Sequence, residues 1–142
     1  MRTEAEMRLH RCCFTGHRPE KLGRSEKEIK AELQREINQA VQVGFTVFIT
    51  GMARGVDLWA AQIVLDLRKR NKEIKLICAI PHEGFEARWS PSWQQLYRYV
   101  LTEADLTRVI SKGYHTGVYQ VRNEWMVNHS ARVIAVFNGQ PS

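Results

Sequence analysis

A chain of 142 residues, 44% of them hydrophobic and 25% charged, has the composition of one folded domain and is too short for two comfortable ones. No apolar run approaches the length that spans a bilayer, and the opening MRTEAEMRLHR lacks the apolar segment of a secretory signal, so no membrane partner and a cytoplasmic location are expected. The formal net charge of +6 favours anionic partners such as nucleotides or nucleic acid, or else serves solubility alone.

In chain order, Cys12 to Thr15 is the first strand-like run. Ser25 with Glu28 then forms a capping box, and Ile29, Leu33, Ile37 and Val41 recur every four residues until Gly44 stops the helix. Val47 to Thr50 is a second apolar run. It leads into a helix with Val56, Ala60, Ile63, Val64 and Leu67 on one face, closed by Arg68, Lys69 and Arg70. Leu76 to Ile80 follows, then a helix from near Ser90 and Pro91 carrying Trp93, Leu96, Tyr97 and Val100. Arg108 to Ile110, a helix from about Gly117 to Asn128 with Val118, Val121 and Trp125 inward, and Val133 to Phe137 complete the series.

Strands alternating with helices predict an α/β fold with an open parallel sheet of about five strands, in a single domain over residues 1–142. No helix follows the fifth run, so the last helix is expected to be missing and the domain C-terminally truncated. An edge left open allows a homodimer. The cysteines at 12, 13 and 78 make no CxxC pair, and neighbours on a strand face opposite ways, so they are expected as small core residues in a reducing compartment. The five histidines show no i, i+4 pair and no HExxH, and no metal is expected.

In such a sheet, ligands bind beyond the carboxyl ends of the strands, and four unusual clusters fall there: TGHRPEKLG (15–23), TGMARGVD (50–57), PHEGFEARW (81–89) and SKGYHTG (111–117). Gly51 and Gly55 can expose backbone N–H groups where the next helix points its positive end, a setting for phosphate. Arg54 adds a bidentate cation there, and Asp57 stabilises the loop or reaches a ribose hydroxyl. Read blandly, the glycines are turn residues and Asp57 an N-terminal helix acid; neither GxxxxGK[ST] nor GxGxxG is present. Gly16, His17 and Arg18 sit where a phosphate or carboxylate could be gripped, or simply make a turn with Pro19. Trp89 and Tyr114 are candidates to stack on a base, whereas Trp93 and Tyr97 at helical spacing fit the core better. Glu83, Glu86 and Arg88 could meet a sugar or belong to a solvated loop.

Together these residues resemble the SLOG superfamily of Rossmann-like proteins, which includes the LOG phosphoribohydrolases and the DNA-processing protein DprA, and look closest to its YpsA-like branch. Cys13 to Pro19, with Thr15, Gly16, His17 and Arg18, is similar to the opening of that branch; Gly51-Met52-Ala53-Arg54-Gly55-Val56-Asp57 is similar to the stretch shared with DprA. Arg122-Asn123, followed by Met126, falls where relatives carry an arginine on the helix before the last core strand. The resemblance implies a Rossmann-like sheet with helices on both faces, holding a nucleotide or nucleotide-derived ligand, such as AMP, ADP-ribose or NAD, at the strand ends. Thr15 to Arg18, Gly51 to Gly55, Asp57, Glu86, Trp89, Tyr114, Arg122 and Asn123 are the expected contacts, with no other cofactor required. Relatives continue past the fifth strand with a Gly-Gly-Thr turn and another helix, where this chain reads Gly139-Gln140-Pro141-Ser142, so a LOG-like catalytic glutamate in that region has no counterpart.

The leading expectation is a nucleotide-binding sensor or regulator. The second is N-glycosidic hydrolysis, with Glu86 or Glu124 as its carboxylate, and the third is single-stranded DNA binding.

Overall fold

The structure is a computed structural model that describes residues 2–136. Its elements are α1 (Glu4–Arg8), β1 (Arg11–Gly16), α2 (Pro19–Leu22), α3 (Glu26–Gln42), β2 (Val47–Thr50), α4 (Val56–Arg68), β3 (Lys75–His82), α5 (Pro91–Glu103), β4 (Leu106–Ser111), α6 (Val118–Asn128) and β5 (Arg132–Val136). The strands form one sheet in the order β4-β3-β2-β1-β5, with every pairing parallel.

This order fixes where the helices lie. From β1 to β4 the chain steps one strand at a time in one direction, and right-handed crossovers therefore stack α3, α4 and α5 on a single face. Their apolar stripes, including Ile29, Leu33, Ile37, Leu58, Leu65, Tyr97 and Val100, meet Cys12, Phe14, Phe48, Leu76 and Cys78 from the sheet in the main core. The step from β4 back across to β5 sends α6 over the opposite face, where Met126 covers Cys13, Ile49 and Ala79. The alternation of Cys12 and Cys13 between the two faces follows from the strand's twofold period. All three cysteines are buried and unpaired. The result is the expected Rossmann-like open sheet with helices on both faces.

Ser25 caps α3 by accepting the Glu28 N–H at 3.1 Å. On that helix Ala40 joins Ile29, Leu33 and Ile37 as a buried residue, while Val41 packs only partly against the core. The expected inward face of α6 needs correction: Val118, Arg122 and Met126 are buried, and Val121 is 44% exposed. Trp125 stays half-buried against His129. Phe137 of the expected fifth strand and Gly139 to Ser142 lie outside the described residues. Among those described, no helix is long and apolar enough to cross a membrane.

Candidate functional site

The loop between β2 and α4 is held from inside. The buried Thr50 hydroxyl donates to the Asp57 carbonyl at 2.9 Å and accepts the Met52 N–H at 3.2 Å. Met52 takes a left-handed φ of 66°, with its side chain fully buried in the main core. Ala53 donates its N–H to Asp57 Oδ2 at 3.3 Å, and Gly55 precedes the helix with φ 91° and ψ −124°, leaving the first turn of α4 without a side-chain cap. Three glycines allow this packing. A Cβ on Gly16 would lie 2.6 Å from Val56 Cγ2 and 2.8 Å from the Val136 carbonyl oxygen. On Gly55 it would lie 2.9 Å from the Pro19 ring, and on Gly51 it would lie 2.8 Å from Asp57 Oδ2 and 3.1 Å from the Arg122 guanidinium. The turn and close-approach demands thus account for the glycines, and they leave the positive end of α4 facing the carboxyl edge of the sheet.

At that edge lies a cavity of about 490 Å³. Gly16 and Arg18 line it from the loop after β1, Ala53 and Arg54 from the loop after β2, Phe85 and Trp89 from the loop after β3, and Tyr119 and Arg122 from α6. Phe85 meets Trp89 edge-on at 5.0 Å between ring centroids and Tyr119 at 5.6 Å, forming one aromatic wall. Arg18, Arg54 and Arg122 add positive charge to the lining. Arg54 Nη2 lies 3.2 Å from Glu20 Oε1, and the Glu20 carboxyl is held below its usual range by its own backbone N–H, with Arg54 and Arg18 adding to the effect against burial.

Arg122 is 7% exposed. Its Nη1 donates to the Gly51 carbonyl at 2.6 Å, its Nε donates to Asn123 Oδ1 at 2.9 Å, and its guanidinium carbon lies 5.7 Å from the Phe85 centroid and 5.9 Å from that of Tyr119. Burial pushes the Asp57 carboxyl up to about 6, against the opposing effects of Arg122 and the Ala53 N–H. Burial also lowers the Arg122 guanidinium, opposed by Asp57.

Of the residues expected from sequence, Gly16, Arg18, Ala53, Arg54, Trp89 and Arg122 come together around the cavity, with Gly51, Gly55 and Asp57 forming the loop behind it. His17 donates its backbone N–H to the Val136 carbonyl at 3.3 Å. Met52 serves the core, and its N–H is already taken by Thr50. Thr15 and Asn123 line a separate recess of about 90 Å³ beside Met126 and Val133. Glu86 lies outside the cavity lining; its carbonyl accepts from Gln94, and its charge adds to the burial that raises the Tyr97 hydroxyl. Tyr114 is 66% exposed, meets the His82 ring edge-on and lies tilted against Tyr119. Glu124 accepts from Gln120 on the surface of α6. Tyr97 is buried and Trp93 packs beside Trp59, as core spacing suggested. Phe85 and Tyr119 are the two lining residues that sequence reasoning passed over. Phe85 lies inside the PHEGFEARW cluster, and Tyr119 follows the glycine that opens α6. Among the described residues no group of three histidine, cysteine or carboxylate side chains could hold a metal ion.

A parallel five-stranded sheet with a cationic and aromatic cavity at its carboxyl edge places the chain among Rossmann-like α/β proteins. It belongs to the SLOG superfamily in its YpsA branch: the YpsA model, described as the YspA SLOG family, matches residues 12–141. The chain is similar to a UPF0398 protein of Ligilactobacillus salivarius, 25% identical over 132 residues that cover 87% of this chain and 72% of the relative. A UPF0398 protein of Brevibacillus brevis is 27% identical over 138 residues, covering 92% and 73%. One of Halalkalibacterium halodurans is 28% identical over 141 residues, covering 91% and 75%.

Proposed function

We propose that this protein binds a nucleotide or nucleotide-derived ligand in the cavity at the sheet's carboxyl edge and acts as a cytoplasmic sensor or regulator. The observation that carries this reading is the sharing of one cavity, about 490 Å³ in volume, by Arg18, Arg54 and an aromatic wall of Phe85, Trp89 and Tyr119. That volume is in the range that encloses a small organic ligand. Arginine forks beside a helix N-terminus suit phosphate, and flat aromatic faces suit a base. Family membership supports a nucleotide-related fold. Turnover is not part of the proposal, because neither Glu86 nor Glu124 lines the cavity and Asp57 is buried behind its loop.

The test is a thermal-shift series with AMP, ADP-ribose, NAD, ATP and a short single-stranded DNA. A ligand at about a hundredfold over its Kd stabilises the fold by about 2.7 kcal/mol. A shift with a mononucleotide or dinucleotide is expected. A shift with DNA alone, lost steeply as salt rises, would replace this reading with backbone binding.

A further inference from the structure

Arg122 stands apart from the other two arginines of the cavity. Arg18 is exposed and Arg54 is half-exposed, whereas Arg122 is buried beside the β2–α4 loop, with Nη1 held by the Gly51 carbonyl, Nε held by Asn123 Oδ1 and aromatic rings against it. Asp57 approaches the same point from α4. The vacant Cβ position of Gly51 lies 2.8 Å from Asp57 Oδ2 and 3.1 Å from Arg122 Cζ and Nε, so the two charges face each other across a space that only glycine leaves open. The other groups felt at Asp57 are the Ala53 N–H of its own loop and the Cys13 thiol of β1, neither of which is a cation.

We infer that Arg122 acts on the cavity as a positioning residue, fixing the Gly51 carbonyl and balancing the Asp57 carboxylate so that the β2–α4 loop offers an anion N–H groups and not buried negative charge. This inference rests on the reading of the cavity as an anionic-ligand site. The ligand's own charge then falls to Arg18 and Arg54. A buried carboxylate one loop away from a bound phosphate repels it unless a cation lies between them, and Arg122 occupies that position. The planar fork also explains why the residue is an arginine: one nitrogen reaches Gly51 while another reaches Asn123.

The experiment measures AMP and inorganic phosphate affinity by titration calorimetry for the unmodified protein, Arg122→Gln, Asp57→Asn, the Asp57→Asn/Arg122→Gln double variant, Arg54→Ala and Asp57→Asn/Arg54→Ala. Arg122→Gln is expected to weaken both ligands about tenfold, and the added Asp57→Asn to restore most of that loss, as coupled neighbours do. No such restoration is expected for Arg54→Ala. If Arg122→Gln does not fold, Arg122→Lys carries the test: it keeps a charge beside Asp57 but loses the fork to Gly51 and Asn123, and is expected to bind only about threefold more weakly than the unmodified protein because the balancing charge remains. Binding by the unmodified protein with no rescue by Asp57→Asn, or about a tenfold loss in Arg122→Lys, overturns the positioning role and leaves the proposed function standing. No binding by the unmodified protein overturns both.

Discussion

Arg54 of the β2–α4 loop and Glu20 of α2 are paired beside the cavity, Nη2 to Oε1 at 3.2 Å, so a guanidinium placed to receive an anion already carries an internal carboxylate. The pair is largely exposed, with the Glu20 side chain at 52%, and such pairs add only about 0–1 kcal/mol to stability. Arg54→Ala is therefore expected to leave the melting temperature nearly unchanged while weakening AMP by about tenfold or more, the usual loss for a charge-assisted contact. Glu20→Gln, which frees Arg54, should strengthen AMP by up to about fivefold. Calorimetric titration of the two variants checks both signs, and equal affinities in all three proteins would remove Arg54 from the site.

The aromatic wall separates recognition of a base from recognition of phosphate. Trp89→Ala and Tyr119→Ala are each expected to weaken AMP by about 1–3 kcal/mol, the range for loss of one stacking partner, with inorganic phosphate little affected. Parallel weakening of phosphate would mean that these rings shape the loop and do not stack.

The glycines divide by what surrounds them. Gly55→Ala meets both a left-handed φ of 91° and the Pro19 ring at 2.9 Å, and should cost at least about 2 kcal/mol. Gly51→Ala should cost about 1–3 kcal/mol by pressing on Asp57 and Arg122. Gly113→Ala, which meets nothing within 4 Å, is the control and should stay within about 0.5 kcal/mol. Urea unfolding of the three variants gives this order or refutes it.

Asp57 predicts a pH dependence with a definite sign. Its folded pKa of about 6 lies above its ordinary 3.8, because burial outweighs Arg122 and the Ala53 N–H. Its favourable contribution is therefore complete below about pH 3.8 and is lost as pH rises through about 6, amounting to about 3 kcal/mol. Asp57→Asn lacks this loss. The stability of that variant relative to the unmodified protein should rise between about pH 4 and pH 7, as read from denaturant midpoints at each pH. A constant difference would show that Arg122 holds Asp57 ionised throughout.

Why some of this was legible in the sequence follows from what each segment buries. The strand runs and the four-residue spacing of Ile29, Leu33 and Ile37 are read directly, because each has a single apolar face against one layer. In α6 the buried stripe is Val118, Arg122 and Met126, and hydrophobic periodicity passes over a stripe whose middle member is charged. It selected Val121 instead, which faces outward. The helices α1 and α2, at five and four residues, are too short to show a period. At the site, glycines and arginines announced the two loops after β1 and β2. The wall needed tertiary structure, since Phe85 and Tyr119 are 34 residues apart and meet only once α6 has crossed the sheet.

Met52 gives the loop a further property. With its side chain sealed in the core and its N–H tied to Thr50, the residue that takes the loop's left-handed φ is held in place before any ligand arrives. Association should then proceed in one kinetic phase whose rate grows linearly with ligand concentration, with no slow closure step to saturate it.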